Sequence, residues 1–65
     1  MTLRPVQHDN VREHNRLAVL LALRSRPTAS RAELARDTGL SVPTVTTIAA
    51  ELIERGVVSE GELAP

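Results

Sequence analysis

The 65-residue sequence contains no cysteine, no lysine and no aromatic residue. Without cysteine there is no disulfide, no thiolate nucleophile and no cysteine-containing metal site. Without Phe, Tyr or Trp the core must be aliphatic, and a core of this size contributes only a small free energy of unfolding. The longest apolar run, LAVLLAL at 17–23, is far too short to span a bilayer, and no signal-peptide pattern follows Arg4. We therefore expect one small cytoplasmic domain with no membrane partner.

The charges balance overall but are unevenly distributed. Eight arginines and eight acidic residues give a formal net charge of zero. Residues 1–31 contain six of the arginines and two of the acids, whereas residues 32–65 contain two arginines and six acids. The first half is therefore basic, although the chain as a whole lacks the net positive charge that is usual for proteins that bind nucleic acid.

The hydrophobic pattern predicts a first helix over about 11–26, after an N-terminal arm at 1–10 that has no periodicity. This helix is apolar on two sides. One side carries Leu17, Leu20 and Leu21, and the other carries Val19 and Leu23. We expect the first side to face the core and the second to be available for another protomer. Pro27 ends the helix, because it has no N–H and disfavours helical geometry in the preceding residue.

Two further helices have clear start and stop signals. Ser30 and Glu33 have the spacing of a capping box, which predicts a second helix over 31–38 that ends at Gly39. Ser41 is a good N-cap and Pro43 is tolerated in a first turn, which predicts a third helix over 42–55 that ends before Gly56.

The second helix, a short turn and the third helix have the order and spacing of a helix-turn-helix. Residues 57–65 suggest a short strand, a turn at Gly61 and the start of a return strand. We therefore expect residues 11–65 to form a mainly α, MarR-like winged-helix domain, with a three-helix helix-turn-helix core and a short, truncated β-wing.

The third helix has one apolar face and one face of short polar side chains. With Val45, Ile48 and Leu52 buried, the exposed face is rich in threonine, whose hydroxyl and methyl groups suit phosphates, base edges and the thymine methyl. The helix N-terminus favours an anion, and nearby arginines supply positive charge. The candidate DNA-binding residues are Arg24, Arg26, Arg31, Arg36, Ser41, Val42, Pro43, Thr44, Thr46 and Thr47.

Residues 15–60 resemble the N-terminal DNA-binding segment of ROK-family (repressor, open reading frame, kinase) transcriptional regulators. The order and spacing of five short pieces carry the resemblance: NR at 15–16, SRAELA at 30–35, TGLS at 38–41, PTVT at 43–46 and ELIERGVV at 51–58. The resemblance implies a winged helix-turn-helix that binds an inverted-repeat operator as a homodimer. It also implies a C-terminal sugar-kinase-like domain that binds a sugar effector.

The sequence departs from that family because it stops at Pro65, so we expect an excised or truncated DNA-binding domain without sugar sensing or kinase activity. No enzyme, cofactor or metal site is expected, since the only histidines, His8 and His14, do not share a helix face and have no further ligands nearby. Three functions remain open: the sequence-specific operator-reading domain of a repressor, a protein-interaction or dimerisation module of helix-turn-helix shape, and a non-specific architectural DNA binder. Neutral charge and the lack of lysine argue against the third.

Overall fold

Three helices pack against one another in the described part of the chain. The computed structural model describes residues 8–26 and 28–64, with α1 at His8–Arg24, α2 at Arg31–Thr38 and α3 at Val42–Glu54, followed by a 3-10 turn at Glu60–Glu62. Each helix contacts both of the others. The three-helix core expected from the sequence is confirmed. None of these helices is long and apolar enough to cross a membrane.

The first helix begins earlier and ends earlier than its periodicity predicts. It already includes His8–Asn10, which we expected in an N-terminal arm, and residues 1–7 of that arm lie outside the described residues. At the other end, the N–H of Arg26 donates to the carbonyl of Leu23 at 3.4 Å, an i→i−3 bond that tightens the last turn. The hydroxyl of Ser25 also donates to the carbonyl of Ala22 at 2.8 Å. Pro27, the expected stop signal, lies outside the described residues.

The expected orientation of α1 is wrong. Val19 and Leu23 are buried in the core, whereas Leu17 and Leu21 are 54% and 58% exposed. Both pairs have the same i, i+4 spacing, so periodicity detects two apolar stripes but does not tell which one meets the other helices. Leu20 lies between them and packs on the core while partly exposed. The Val19 and Leu23 side is therefore not available to a second protomer.

The helix-turn-helix is defined by local hydrogen bonds. The hydroxyl of Ser30 accepts from the N–H of Glu33 at 3.0 Å, and the carboxylate of Glu33 accepts from the N–H of Ser30 at 2.9 Å, which completes a capping box. At the other end of α2, Gly39 has φ +78°, where an L side chain is strained, and its N–H donates to Ala35 at 2.8 Å. The Thr38 hydroxyl donates to the Leu34 carbonyl and accepts from the N–H of Leu40, which fixes the turn.

The third helix begins at a serine cap and ends at a glycine. The hydroxyl of Ser41 accepts from the N–H of Thr44 at 3.3 Å. After Glu54, Gly56 has φ +74°, its N–H donates to Ile53, and the N–H of Val57 donates to Leu52. This pair of bonds is a Schellman motif, which satisfies carbonyls that the last turn leaves without helical partners.

The C-terminal segment does not form the expected strand pair within the described residues. Ser59 and Glu62 instead form a second capping-box arrangement, in which the N–H of Ser59 donates to the Glu62 carboxylate at 3.0 Å. These local bonds favour the 3-10 turn that contains Gly61 over a strand-turn-strand. The segment attaches to the α1–α2 linker through one parallel bridge between Ala29 and Leu63, where Ala29 accepts from the N–H of Ala64 at 2.9 Å.

One aliphatic cluster holds the helices and the C-terminal segment together. Leu34 of α2, Val19 of α1 and Val45 of α3 are fully buried, and Val58 joins them from beyond α3. Four of the five residues expected in the buried stripe of α3, Val45, Ile48, Ala49 and Leu52, are buried, whereas the fifth, Ile53, is only partly buried and packs against the cluster. The side of α3 opposite this stripe is therefore the one that faces away from the domain.

We predict that truncating Val45 destabilises the domain and that truncating an exposed valine does not. Val45 is fully buried and Val57 is 45% exposed. Val45→Ala removes buried apolar surface and leaves a cavity, so the free energy of unfolding should fall by about 1.5 kcal/mol or more. Val57→Ala, the matched control, should change it by less than about 0.5 kcal/mol. Urea unfolding followed by circular dichroism measures both, and equal effects would contradict this packing.

We also predict that the capping box makes stability depend on acidic pH. The N–H of Ser30, followed by the charge of Arg26, lowers the pKa of Glu33 below its ordinary value of 4.5. The folded state thus favours the ionised carboxylate of Glu33. Its contribution to the free energy of unfolding is complete above pH 4.5 and is lost as the pH falls through the lowered pKa. Glu33→Gln should be less stable than the wild type at neutral pH, and the gap should shrink in acid.

Glu54→Gln is the control for this experiment, because Glu54 is exposed and makes no hydrogen bond or ion pair with the described residues. At neutral pH its free energy of unfolding should stay within about 0.5 kcal/mol of that of the wild type, as is usual for an exposed residue. A Glu33→Gln gap that stays constant from neutral pH into acid would show that the capping carboxylate does not contribute through its charge.

Candidate nucleic-acid interface

The outer face of α3 presents small side chains and two hydroxyls. Val42, Pro43, Thr46, Thr47 and Ala50 are exposed on this helix, whereas Thr44 is half-buried. These side chains are short, so another molecule can approach the α3 backbone closely along most of this face. The exposed carboxylate of Glu54 lies on the same face at its C-terminal end. Thr44 and Thr46 lie on opposite flanks of the outer face, which is centred near Pro43 and Thr47.

The hydroxyls at the start of α3 are partly committed to the helix itself. The Ser41 hydroxyl accepts from the N–H of Thr44 and donates to the Thr44 hydroxyl oxygen at 2.8 Å. Thr44 therefore keeps its own hydroxyl proton available to an outside acceptor. Pro43 has no N–H and that of Thr44 is capped, so Val42 supplies the N–H that remains for an anion in this first turn.

Thr47 and Thr46 have different hydrogen-bonding capacity. The Thr47 hydroxyl donates to the carbonyl of Pro43, one turn earlier, at 3.1 Å. Its proton is thus used within the helix, and it presents acceptor lone pairs and a methyl group to an incoming molecule. Such a group matches the amino group of cytosine or adenine, or the methyl of thymine. The Thr46 hydroxyl makes no hydrogen bond with the described residues, so it is able both to donate and to accept.

A groove of about 390 Å³ lies between α3 and the N-terminal half of α1. Its lining includes Thr44, Thr47 and Glu51 from α3 and Arg12 and Asn15 from α1. Sequence reasoning missed Arg12 and Asn15, because no local pattern indicates which part of α1 lies beside α3. The only signal was their i, i+3 spacing, which places them on adjacent parts of the helix surface.

Glu51 is an acidic residue in this groove, and an arginine neutralises it. The Nε of Arg16 lies 3.4 Å from a carboxylate oxygen of Glu51, and the Arg16 guanidinium also contacts Glu13. The side chain of Arg16 is 13% exposed, so the pair is partly shielded from water. The Glu51 carboxylate in the groove is therefore paired within the fold, with an arginine that it shares with Glu13.

The four arginines predicted around the second helix occupy different environments. Arg31 lines a second groove on the other flank of α3, together with Ala50 and Ile53. Arg36 is exposed on the outer side of α2, and neither it nor Arg31 forms an ion pair with a described residue. Arg24 lies on the exposed side of α1 with Leu17 and Leu21 and does not line either groove.

Arg26 is engaged within the domain. Its Nη2 and Nε lie 2.7 and 2.9 Å from one oxygen of Asp37, and its Nη1 lies 3.4 Å from Glu33. The hydrogen bond and the charge of Asp37 hold the pKa of Arg26 above its ordinary value. This guanidinium ties the end of α1 to α2, and binding a phosphate would require it to leave two carboxylates.

The chain matches the family described as winged helix-turn-helix DNA-binding over residues 12–59, which is more than half of its length. It therefore belongs to that family, and α2, the turn at Gly39 and α3 are its helix-turn-helix. The mainly α winged-helix class expected from the sequence is confirmed, with little strand in the described residues. Comparisons with curated proteins and with solved structures gave no match. The domain is a double-stranded DNA-binding module of a family that is typically non-enzymatic.

Proposed function

We propose that this domain reads the sequence of an operator for a transcriptional repressor, with α3 in the major groove of double-stranded DNA. The observation that carries the proposal is the outer face of α3, where short exposed side chains surround Thr46 and Thr47. A helix enters the major groove and brings base edges within reach of short side chains. Arg31 and Arg36 on α2, with the N–H of Val42, supply donors for the flanking phosphates.

A protein-interaction module is the alternative, and the composition of this face argues against it. Protein interfaces have buried cores enriched in aromatic residues, methionine and arginine. The α3 face contains threonine, proline and alanine, and the whole chain has no aromatic residue. A non-specific architectural binder is disfavoured for another reason, since such binding depends on phosphate neutralisation and the chain has no net positive charge.

The resemblance to ROK-family regulators gives a fuller proposal. In that setting the domain is the N-terminal, cytoplasmic part of a homodimeric repressor that binds an inverted-repeat operator. A sugar effector would act through a separate domain that is not present in this sequence. The order of SRAELA, TGLS and PTVT along α2, the turn and α3 supports this assignment.

For self-association we propose the side of α1 that carries Leu17 and Leu21, since Val19 and Leu23 are in the core. Glu13, which also contacts Arg16 of its own helix, lies beyond one end of this leucine pair, and Arg24 lies beyond the other. If two copies pair these helices antiparallel about a two-fold axis, leucines meet leucines and Glu13 of each copy lies opposite Arg24 of the other. Two leucines per copy form a small surface, so this dimer is weak until DNA or another domain brings the copies together.

We predict that Thr47→Val weakens binding to a preferred duplex more than binding to a scrambled duplex. The preferred duplex is selected from a randomised pool with the wild-type chain, and affinities are measured by fluorescence anisotropy at fixed salt. Valine preserves the shape and removes the acceptor, which should cost about 1 kcal/mol on the preferred duplex, at the low end for a base contact. Thr28→Val is the matched control, since Thr28 is exposed in the α1–α2 linker.

The outcomes of this experiment separate the functions. A wild-type chain that binds preferred and scrambled duplexes equally is an architectural binder, and one that binds neither supports the protein-interaction alternative. A Thr47→Val variant that loses the same affinity on both duplexes would show that Thr47 contacts the DNA backbone and not a base.

For the dimer, we predict that reversing the charge of Arg24 weakens self-association and that reversing the charge of Glu13 as well restores it. Arg24→Glu should shift the sedimentation-equilibrium profile towards monomer, because it places like charges opposite each other at both ends of the helix pair. Adding Glu13→Arg to that variant should restore association. The matched control is Arg36→Glu on α2, which makes the same charge change elsewhere. If Arg24→Glu and Arg36→Glu reduce association equally, the interface lies elsewhere or net charge alone governs it.

A further inference from the structure

Two grooves flank α3, and each contains an arginine that forms no ion pair with a described residue. Arg12 of α1 lies in the groove on the side of Thr44 and Thr47, and Arg31 of α2 lies in the groove on the side of Ala50 and Ile53. Each groove also contains one acidic residue, Glu51 in the groove of Arg12 and Glu60 in the groove of Arg31. Arg31 is already proposed to bind a flanking phosphate, whereas Arg12 has no role in the proposed function.

The dimensions of B-DNA give Arg12 a specific ligand chemistry. The major groove is about 12 Å wide, and an α-helix with its side chains is about 10–12 Å in diameter, so one helix fills it. A side chain on a second helix beside α3 therefore meets the sugar-phosphate ridge that borders the groove, and not the base edges. A guanidinium is the side chain best suited to a phosphodiester, because its planar fork binds two oxygens at once.

Glu51 shares this groove with Arg12, but the ion pair that it forms is with another arginine. Its carboxylate lies 3.4 Å from the Nε of Arg16, whose guanidinium also contacts Glu13. Asn15 adds an amide donor one turn from Arg12 on the same side of α1. The guanidinium of Arg12, which forms no ion pair with a described residue, and the neutral donor of Asn15 therefore lie beside the threonines of α3.

We propose that the N-terminal half of α1 is part of the DNA-binding surface, where Arg12 binds a backbone phosphate on the ridge opposite the one contacted by Arg31. This inference rests on the proposed binding of duplex DNA by α3. It makes α1 a phosphate-contacting element as well as a support for the helix-turn-helix. Arg12 positions the domain across the groove and does not distinguish base sequences.

The test compares two variants that each remove one positive charge. Arg12→Gln removes the proposed contact, and Arg55→Gln removes an exposed arginine just beyond the C-terminal end of α3, outside both grooves. Affinity for the selected and scrambled duplexes is measured over a range of salt concentrations. Loss of one phosphate contact should reduce the slope of log K against log salt by about 0.9 for Arg12→Gln. Arg55→Gln should leave the slope unchanged. Arg12→Lys should restore the slope, because it restores the charge, but only part of the affinity, because an ammonium group lacks the planar fork.

The results separate failure of this inference from failure of the proposed function. Arg12→Gln should weaken binding to selected and scrambled duplexes by the same factor, because a phosphate contact carries no sequence information. If the wild type binds its selected duplex but Arg12→Gln and Arg55→Gln behave alike, the inference is wrong and the proposed function stands. Loss on the selected duplex alone would also overturn it, since Arg12 would then read a base. A wild type that binds no duplex overturns both.

A second arm distinguishes a DNA phosphate from a free one. Inorganic phosphate is titrated into the wild type at constant ionic strength, and the side-chain Nε–H signal of Arg12 is followed by NMR. We expect no saturable change in this signal. Free phosphate lacks the base edges that contact α3 in duplex DNA, so it makes only one of the contacts that hold the duplex. Saturable binding of inorganic phosphate at Arg12 in the absence of DNA would show a small-anion site and overturn the inference.

Discussion

The structure depends on burying Leu34 of α2 between the other two helices. It shares an aliphatic cluster with Val19 of α1 and Val45 of α3, and all three side chains are fully removed from water. Since the chain has no aromatic residue, no larger side chain is available to replace this contact. The cluster fixes the rotation of α3 about its own axis, so the burial of Val45, Ile48 and Leu52 also exposes Pro43, Thr47 and Ala50. The candidate reading surface is a consequence of the core.

Electrostatic pairing within the fold engages some of the arginines of this neutral chain and leaves others unpaired among the described residues. Some acidic residues are likewise paired inside the domain, whereas Glu54 on α3 and Glu60 beside Arg31 form no ion pair with the described residues. Arg16 compensates Glu51 beside the threonines, and Arg26 binds Asp37 and Glu33 at the back of α2. Arg12, Arg31 and Arg36 form no such pairs within the described residues. Net charge is therefore a poor guide to this domain, because two of these five arginines are used for internal pairing and the other three form no ion pair with the described residues.

The helix-turn-helix could be predicted because its signals are local. The capping box of Ser30 and Glu33, the left-handed Gly39 and the cap at Ser41 each involve residues within four positions of one another. Each of these hydrogen bonds joins residues that are close in sequence, so residue types and spacing are sufficient to predict where α2 and α3 lie. At the C-terminus, the prediction of a wing overlooked another local signal. Ser59 and Glu62 have the spacing of a capping box, and they form this arrangement where a strand, a turn and a return strand were expected.

The sequence by itself determined where α2 and α3 begin and end, which side of α3 is buried, and the threonine-rich character of its other side. Only the tertiary structure decided which apolar side of α1 enters the core, that Arg26 pairs with Asp37, and that Arg12 lies beside Thr44 and Thr47. Those features join residues that are 11 or more positions apart. Their proximity depends on how three helices pack, and two stripes with equal spacing on α1 give no local preference between the alternatives.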